Sequence, residues 1–333
     1  MELVSIVMPV KNTSLYLKEC INSIIEQSYV NWELLAVNDH SSDDSFQILT
    51  QFSQKDNRIK VFNNVGYGII DALKLAYKKS KGDFITRMDS DDVMTCDKLK
   101  LMVEDLKNHG NGKIALGLVD YFSENKIGEG YQKYQDWLNA LTIKGYNFSE
   151  IYKECVIPSP CWMVYRTDFE KCGAFDSNIY PEDYDLTFRF YQHGLKCLPS
   201  KNLLHLWRDY SERTSRNHEH YAYNAFLEIK VDYFLKLHYD VTKNLVIWGA
   251  GKKGKKVAEL LLDSKVEFQW ICDNPKKIGK DIYGQEMLPF TVLDNIDNAQ
   301  SIVTVASPKA QEEIRAYLTK RSQVSMKDYF FFC

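Results

Sequence analysis

Hydrophobic and polar positions in the first hundred residues follow two alternating rhythms. Short apolar runs, "LVSIVMPV" (3–10), "WELLAVND" (32–39) and "IKVFNN" (59–64), are each followed by a stretch with apolar residues at helical spacing. The runs predict buried strands, and the i, i+3, i+4 spacing predicts helices. Helices are predicted over 15–27, from the serine- and aspartate-capped "SSDDSFQILTQF", over 68–80 with Gly82 closing it, and in "CDKLKLMVEDLKNHG". "DFITRMDSDD" supplies a fourth strand. Such alternation predicts an α/β fold, a mostly parallel sheet flanked by helices.

The rhythm breaks in the middle of the chain. "KIALGLVDYFSEN" (113–125) reads as strand and turn, and residues 131–155 as aromatic-rich loop and helix. "PSPCWMVYR" (158–166) reads as a strand, and "PEDYDLTFRFYQHG" (181–194) as a helix between Pro181 and Gly194. An amphipathic helix is predicted over 217–239. "NLVIWGAGKKGKKVAELLLDS" (244–264) then restarts a strand, glycine turn and helix, continuing through 266–274 and 301–308. The expected division is a domain over 1–216, a connecting helix over 217–240 and a small α/β domain over 241–333.

Composition narrows the classes. With 45% hydrophobic and 26% charged residues, the chain is ordinary globular protein. Its net charge of −3 supplies no basic field for nucleic acid. The eight cysteines form no CxxC pair and no zinc-type cluster, so they read as reduced thiols in a cytoplasmic protein. "MELVSIVMPVKN" is not a signal peptide, and no apolar run approaches the about 20 residues that span a bilayer. The expectation is a soluble cytoplasmic protein, with peripheral membrane association left open.

The candidate chemistry sits where the strands end. Asp89 and Asp91 are two apart in an extended segment, so they face the same way. At the carboxyl end of a parallel strand they would line the ligand crevice of the sheet. Carboxylates there suit Mg²⁺ or Mn²⁺ with substrate phosphates; the alternative is a solvated turn. Asp39 ends the second strand, and Pro9 with the Lys11–Asn12 pair ends the first, so three strands finish in ligand-capable residues.

The series "VSIVMPVKN", "LLAVNDHSSDDS", "GIIDALKLAYKKSKGDFITRMDSDD" and "PEDYDLTFR" resembles a family 2 inverting glycosyltransferase of GT-A fold, over roughly residues 3–240. The resemblance implies that Pro9 and Val10 wall the nucleotide base, with Asn12 beside them. It implies that Asp39 accepts a hydrogen bond from uracil N3–H, and that Asp71 lies near the nucleotide. The family usually reads "DDGS" where this chain has Asn38-Asp39-His40-Ser41. In the Asp89-Ser90-Asp91 motif, Asp89 would contact ribose or sugar and Asp91 would ligate the metal, with Arg87 neutralising the cluster. Asp92 is either a partner of that site or the next helix's N-cap. Glu182 and Asp183 match the family's acidic pair, with Asp183 as general base for the acceptor hydroxyl and Glu182 beside it. Downstream, Tyr210 stands where a metal-binding His is expected, and Arg208 and Ser215 are the candidates for diphosphate. Trp137, Trp162 and Tyr180 are acceptor-stacking candidates, against the commoner fate of buried core.

The implied activity is metal-dependent transfer from a UDP-sugar to a glycan or lipid-linked glycan, in surface polysaccharide synthesis. Rival readings are a non-catalytic sugar-nucleotide sensor or scaffold and a sugar-nucleotide nucleotidyltransferase, although "PVKNTSLYL" lacks the latter's glycine-rich loop. Gly249, Gly251 and Gly254 form a GxGxxG followed by Asp273, which taken literally predicts a dinucleotide. Only about 90 residues surround it, too few for a dehydrogenase, so it resembles small Rossmann-like modules that bind nucleotides, dock or dimerise. The apolar tail "MKDYFFFC" suggests packing onto that domain or a partner.

Overall fold

The apolar runs become strands buried within a layered sheet. The computed structural model describes residues 2–124, 126–211, 213 and 226–333. It begins β1 (Val4–Val10), α1 (Ser14–Ile25), β2 (Trp32–Asn38), α2 (Ser45–Lys55), β3 (Ile59–Asn63), α3 (Gly68–Lys79) and β4 (Phe84–Arg87). These four strands are parallel, in the order β3-β2-β1-β4. Ile6, Met8 and Val10 share a core with Leu17, Cys20, Ile21 and Ile24 of α1, whose three- and four-residue spacing puts them on one face. The alternate residues turn to the other face, and α3 packs across β1 and β2. Gly82 does not close α3, which ends at Lys79; a Cβ there would meet Leu3 O and Ser5 N at 2.6 Å, so it lets the chain pass close to β1.

Then come β5 (Val93–Met94), α4 (Lys98–His109), β6 (Lys113–Leu116), β7 (Leu118–Phe122), α5 (Glu129–Lys144), β8 (Trp162–Tyr165), α6 (Arg166–Lys171), α7 (Glu182–Gln192), β9 (Lys196–Cys197) and β10 (Leu203–Arg208). The main sheet continues β4-β8-β6-β9, with β8 antiparallel to both neighbours. A second sheet, β5-β10-β7, is not among the expected elements; in it β10 pairs with β7 and β5. This small sheet brings β10 alongside the loop that follows β4.

Contacts divide the chain into two compact units. The first holds residues up to 148 together with Cys155–Arg213; the second holds Ser149–Glu154 and the described residues of 214–333. The described part of the helix expected as a connector, α8 (Leu227–Leu237), therefore counts with the second unit. That unit continues β11 (Asn244–Trp248), α9 (Lys252–Asp263), β12 (Gln269–Cys272), β13 (Asp281–Ile282), β14 (Gln285–Pro289), β15 (Ala299–Val303), α10 (Pro308–Lys320) and β16 (Tyr329–Phe331). Its sheet runs β13-β14-β12-β11-β15-β16, parallel except at β13. The apolar tail is β16 itself, with Phe330 and Phe332 buried. Tyr152 stacks on Phe332 at 5.1 Å and meets Phe330 edge-on at 5.6 Å. Among the described residues no helix is long and apolar enough to cross a membrane.

Candidate active site

Four parallel strands, β1 to β4, end on one edge of the main sheet, and the loops there carry the candidate residues. Asp39 follows β2 and is tied to β1 by its N–H, which donates to Val10 O at 2.8 Å. Its carboxylate is buried and accepts from Asn64 Nδ2 at 2.8 Å, Gly68 N–H at 3.0 and 3.1 Å, and Lys11 Nζ at 3.2 Å. Burial pushes this carboxyl up, but the four bonds outweigh it and hold Asp39 below the usual carboxylate range. His40, at φ 55°, is bonded to Gly66 O at 2.8 Å and stacks on the exposed Tyr67 at 4.6 Å.

Several residues expected at the nucleotide already have partners within the protein. Val10 is fully buried in the core, so its side chain cannot wall a base; half-buried Pro9 can. Asn12 Oδ1 accepts the Ser42 N–H at 2.8 Å and ties two loops together. Asp71 accepts the Tyr67 N–H at 3.0 Å from the first turn of α3. Ser90 is buried and accepts from the Thr13 hydroxyl at 3.0 Å, anchoring the acidic loop to the start of α1.

The acidic loop after β4 is held from several sides. Arg87, buried, donates to Asp89 Oδ1 and to Glu182 Oε1, both at 2.8 Å. Tyr210 donates its hydroxyl to Asp91 Oδ2 at 2.8 Å, where a histidine was expected. Arg208 donates from Nε to Asp91 O at 2.7 Å, from its N–H to Asp92 Oδ1 at 2.8 Å and from Nη2 to Glu19 at 2.5 Å. Arg208 thus shapes the loop rather than reaching outward. Asp92 does not cap α4, whose N-cap is Asp97. Instead it faces His205 Nε2 at 3.0 Å, and His205 Nδ1 faces Lys98 Nζ at 3.1 Å, all three fully buried. Burial and Lys98 keep His205 well below its ordinary value, hence neutral, and burial lowers Lys98.

Arg213 completes the surroundings, its guanidinium 5.3 Å from the Trp207 ring centre and 5.7 Å from that of Tyr121. Burial, reinforced by Asp92 and Asp89 and opposed by Arg213 and Tyr210, pushes Asp91 up to about 7. A carboxylate so disfavoured among its own kind is one that a divalent cation would stabilise. Among the described residues Asp91 Oδ1 accepts no hydrogen bond. No group of three or more His, Cys, Asp or Glu residues there could hold a metal by itself. The site therefore fits an ion that takes one or two carboxylates and completes its shell with phosphate and water, as Mg²⁺ and Mn²⁺ do.

Glu182 and Asp183 open α7, where negative charge favours the helix N-terminus. Asp183 accepts the Ser159 hydroxyl at 3.1 Å and the Tyr184 N–H at 2.8 Å. Burial, opposed by Arg87 and reinforced by Asp183, pushes Glu182 up to about 7. Of the acceptor candidates, Trp162 is core, stacked on Phe169 at 5.6 Å and edge-on to Phe190 at 5.7 Å. Trp137 packs against the core with Tyr134, and half-buried Tyr180 lies two residues before Glu182. Ser215 lies outside the described residues.

The glycine loop belongs to the second unit. Trp270 Nε1 donates to Gly249 O at 2.8 Å, and Lys277 donates to Ala250 O. A Cβ on Gly254 would lie 2.1 Å from Gly249 O, so this glycine lets α9 pack tightly onto the loop. Asp273 is exposed just after β12.

Comparison with known proteins gives a family and a fold. A family model described as "Glycosyl transferase family 2" matches residues 5–173. Escherichia coli WfgD, named as UDP-Glc:alpha-D-GlcNAc-diphosphoundecaprenol beta-1,3-glucosyltransferase, is 39% identical over 127 residues, 38% of this chain and 49% of that protein. Three other glycosyltransferase relatives are matched over only 24%, 44% and 31% of their own lengths. S. aureus TarS 1-349 in complex with UDP-GlcNAc matches with a TM-score of 0.54 at 18% identity, over 78% of this chain and 72% of that one. Mannosyltransferase PcManGT from Pyrobaculum calidifontis, in complex with GDP-Man and Mn²⁺, matches with a TM-score of 0.51 at 17% identity, over 78% of this chain and 69% of that one. At such identities the structural likeness is one of fold.

Proposed function

The chain belongs to glycosyl transferase family 2, and from that premise we propose that it moves a sugar from a UDP-sugar to a hydroxyl of a glycan or lipid-linked glycan, inverting the anomeric carbon. The observation that carries this reading is Arg87, whose one guanidinium joins Asp89 of the acidic loop to Glu182, 95 residues away. It gathers a candidate donor site and a candidate base beside each other. WfgD, named as a UDP-glucose-dependent enzyme acting on a lipid-linked sugar, supports the choice of donor and acceptor class. We place the activity in the cytoplasm, at the inner membrane face for a lipid-linked acceptor, in surface polysaccharide synthesis.

Asp39 receives the uracil N3–H, a donor that cytosine lacks, with Pro9 against the base. Asp89 meets the ribose or sugar. Asp91 would hold Mn²⁺ or Mg²⁺, which supplies positive charge against the diphosphate leaving group. Asp183, oriented by Ser159 and the Tyr184 N–H, takes the proton of the acceptor hydroxyl as its oxygen attacks the anomeric carbon. The bond to the diphosphate breaks on the opposite face, so no covalent enzyme intermediate is needed. Glu182 anchors Arg87 beside this base.

Calorimetric titration of UDP with and without Mn²⁺ tests the donor site. Binding should require Mn²⁺ and fall at least about tenfold in Asp91→Ala. Hydrolysis of UDP-glucose or UDP-GlcNAc should be lost in Asp183→Asn while UDP binding persists. Metal-independent UDP binding unaffected by Asp91→Ala overturns the metal assignment. Binding without turnover of any UDP-sugar, with acceptor glycans supplied, favours the sensor reading.

A further inference from the structure

Lys98, His205 and Asp92 are fully buried and form one hydrogen-bonded line behind the acidic loop. As an ammonium facing Asp92 through the ring, Lys98 can only donate, which makes His205 Nδ1 the acceptor at 3.1 Å. The imidazole proton therefore sits on Nε2 and goes to Asp92 Oδ2 at 3.0 Å. The other oxygen of Asp92 accepts the Arg208 N–H at 2.8 Å, and Arg208 Nε holds Asp91 O at 2.7 Å. The position of Asp91 is thus fixed from behind.

The same ammonium has a second partner. Lys98 Nζ donates to Pro160 O at 2.5 Å. Pro160 follows Ser159, whose hydroxyl donates to Asp183 at 3.1 Å. One buried cation reaches the donor-side carboxylates through His205 and Asp92, and the candidate base through Pro160 and Ser159. A long apolar side chain would fill the volume of Lys98 without the desolvation cost. What it could not supply is two directed bonds to opposite halves of the site.

We propose that Lys98 is a positioning residue that sets the separation between the donor–metal carboxylates and Asp183, with His205 and Ser159 as its two arms. The inference rests on the transferase reading. It adds residues that no contact with substrate would reveal.

The test is a set of full-length variants, each read by thermal unfolding, by Mn²⁺-dependent UDP affinity and by the rate of UDP release from UDP-glucose or UDP-GlcNAc. His205→Leu breaks the donor-side arm, so UDP affinity with Mn²⁺ should fall about ten- to a hundredfold, as when a group supporting a metal ligand is lost. His205→Gln keeps one donor and one acceptor on a neutral side chain and should restore most of that affinity. Ser159→Ala breaks the base-side arm and should lower hydrolysis with UDP affinity unchanged. Lys98→Met should do both, with hydrolysis down about a hundredfold for a misplacement near 1 Å.

The inference is overturned if folded Lys98→Met keeps both UDP affinity and hydrolysis, or if the variants lose thermal stability alone. It is also overturned if His205→Gln behaves like His205→Leu, since then the hydrogen-bonded line is not what matters. Should Lys98→Met fail to fold, the His205 pair and Ser159→Ala still decide. A wild-type protein that binds no UDP and hydrolyses no UDP-sugar overturns the transferase reading itself, which is a different outcome from any difference among variants.

Discussion

Arg87 is one positive charge answering for Asp89 and Glu182, with Asp183 close by. Burial, opposed by Arg87 and reinforced by Asp183, pushes the Glu182 carboxyl up to about 7. A group raised in the folded state favours folding when protonated. Its contribution is complete below the unfolded value of about 4.3 and is lost as pH rises through about 7. Asp91 and Asp92, both pushed up to about 7 chiefly by burial, act in the same direction. With Glu182 they outnumber His205 and His238, which burial holds below the usual histidine value and which cost stability as pH falls through about 6.5. Asp39 and Asp43, both lowered, weaken the fold only below the usual carboxylate range. The thermal midpoint should therefore climb as pH is lowered from about 8 to about 5.5. Glu182→Gln, neutral throughout, should flatten that climb. Scanning calorimetry at the two pH values decides, and a wild-type midpoint that falls over this range would refute the assignment. The acids themselves were legible in the sequence, because polar residues closing apolar runs stand out. Their partners were not. His205 meets Asp92 across 113 residues and Lys98 across 107, separations closed by strand pairing rather than by any local pattern. Trp162 shows the converse: nothing in a sequence says which way an aromatic faces.

Among the elements, the alternating first hundred residues were the readable part, because burial on both faces leaves an unbroken apolar run. β10 escaped notice because its polar members are satisfied internally. His205 is bonded within the core, and Trp207 stacks on Tyr121 of β7 at 5.1 Å. The glycine loop of the second unit was read by its motif, and its geometry gives one of its glycines a packing role. A Cβ on Gly254 would meet backbone at 2.1 Å, whereas one on Gly251 would meet nothing within 4 Å. Gly254→Ala should thus cost about 1–3 kcal/mol by overpacking, with no ligand present. Gly251→Ala, at φ −78°, should be within about 0.5 kcal/mol of wild type, as ordinary surface substitutions are. Urea denaturation of both variants makes the comparison. Equal stability would refute the packing role of Gly254.

At the scale of the whole molecule, the second unit is not a simple C-terminal block. It draws Ser149–Glu154 from a stretch that the sequence presents as loop and helix. Within it Tyr152 is almost completely buried, stacked flat on Phe332, and Glu150 pairs with Arg315 at 2.6 Å. Lys230 donates to Lys153 O at 2.7 Å. A cut at residue 240 would therefore remove from the second unit both α8 and one of its largest core side chains. Tyr152→Ala should cost about 3–5 kcal/mol, the usual loss for a large buried aromatic. Because two compact units need not unfold together, the loss should be local. Amide hydrogen exchange should accelerate in β11, β15 and β16 while β1, β2 and β4 keep their protection. Faster exchange confined to β1, β2 and β4 would mean that the six residues serve the first unit instead.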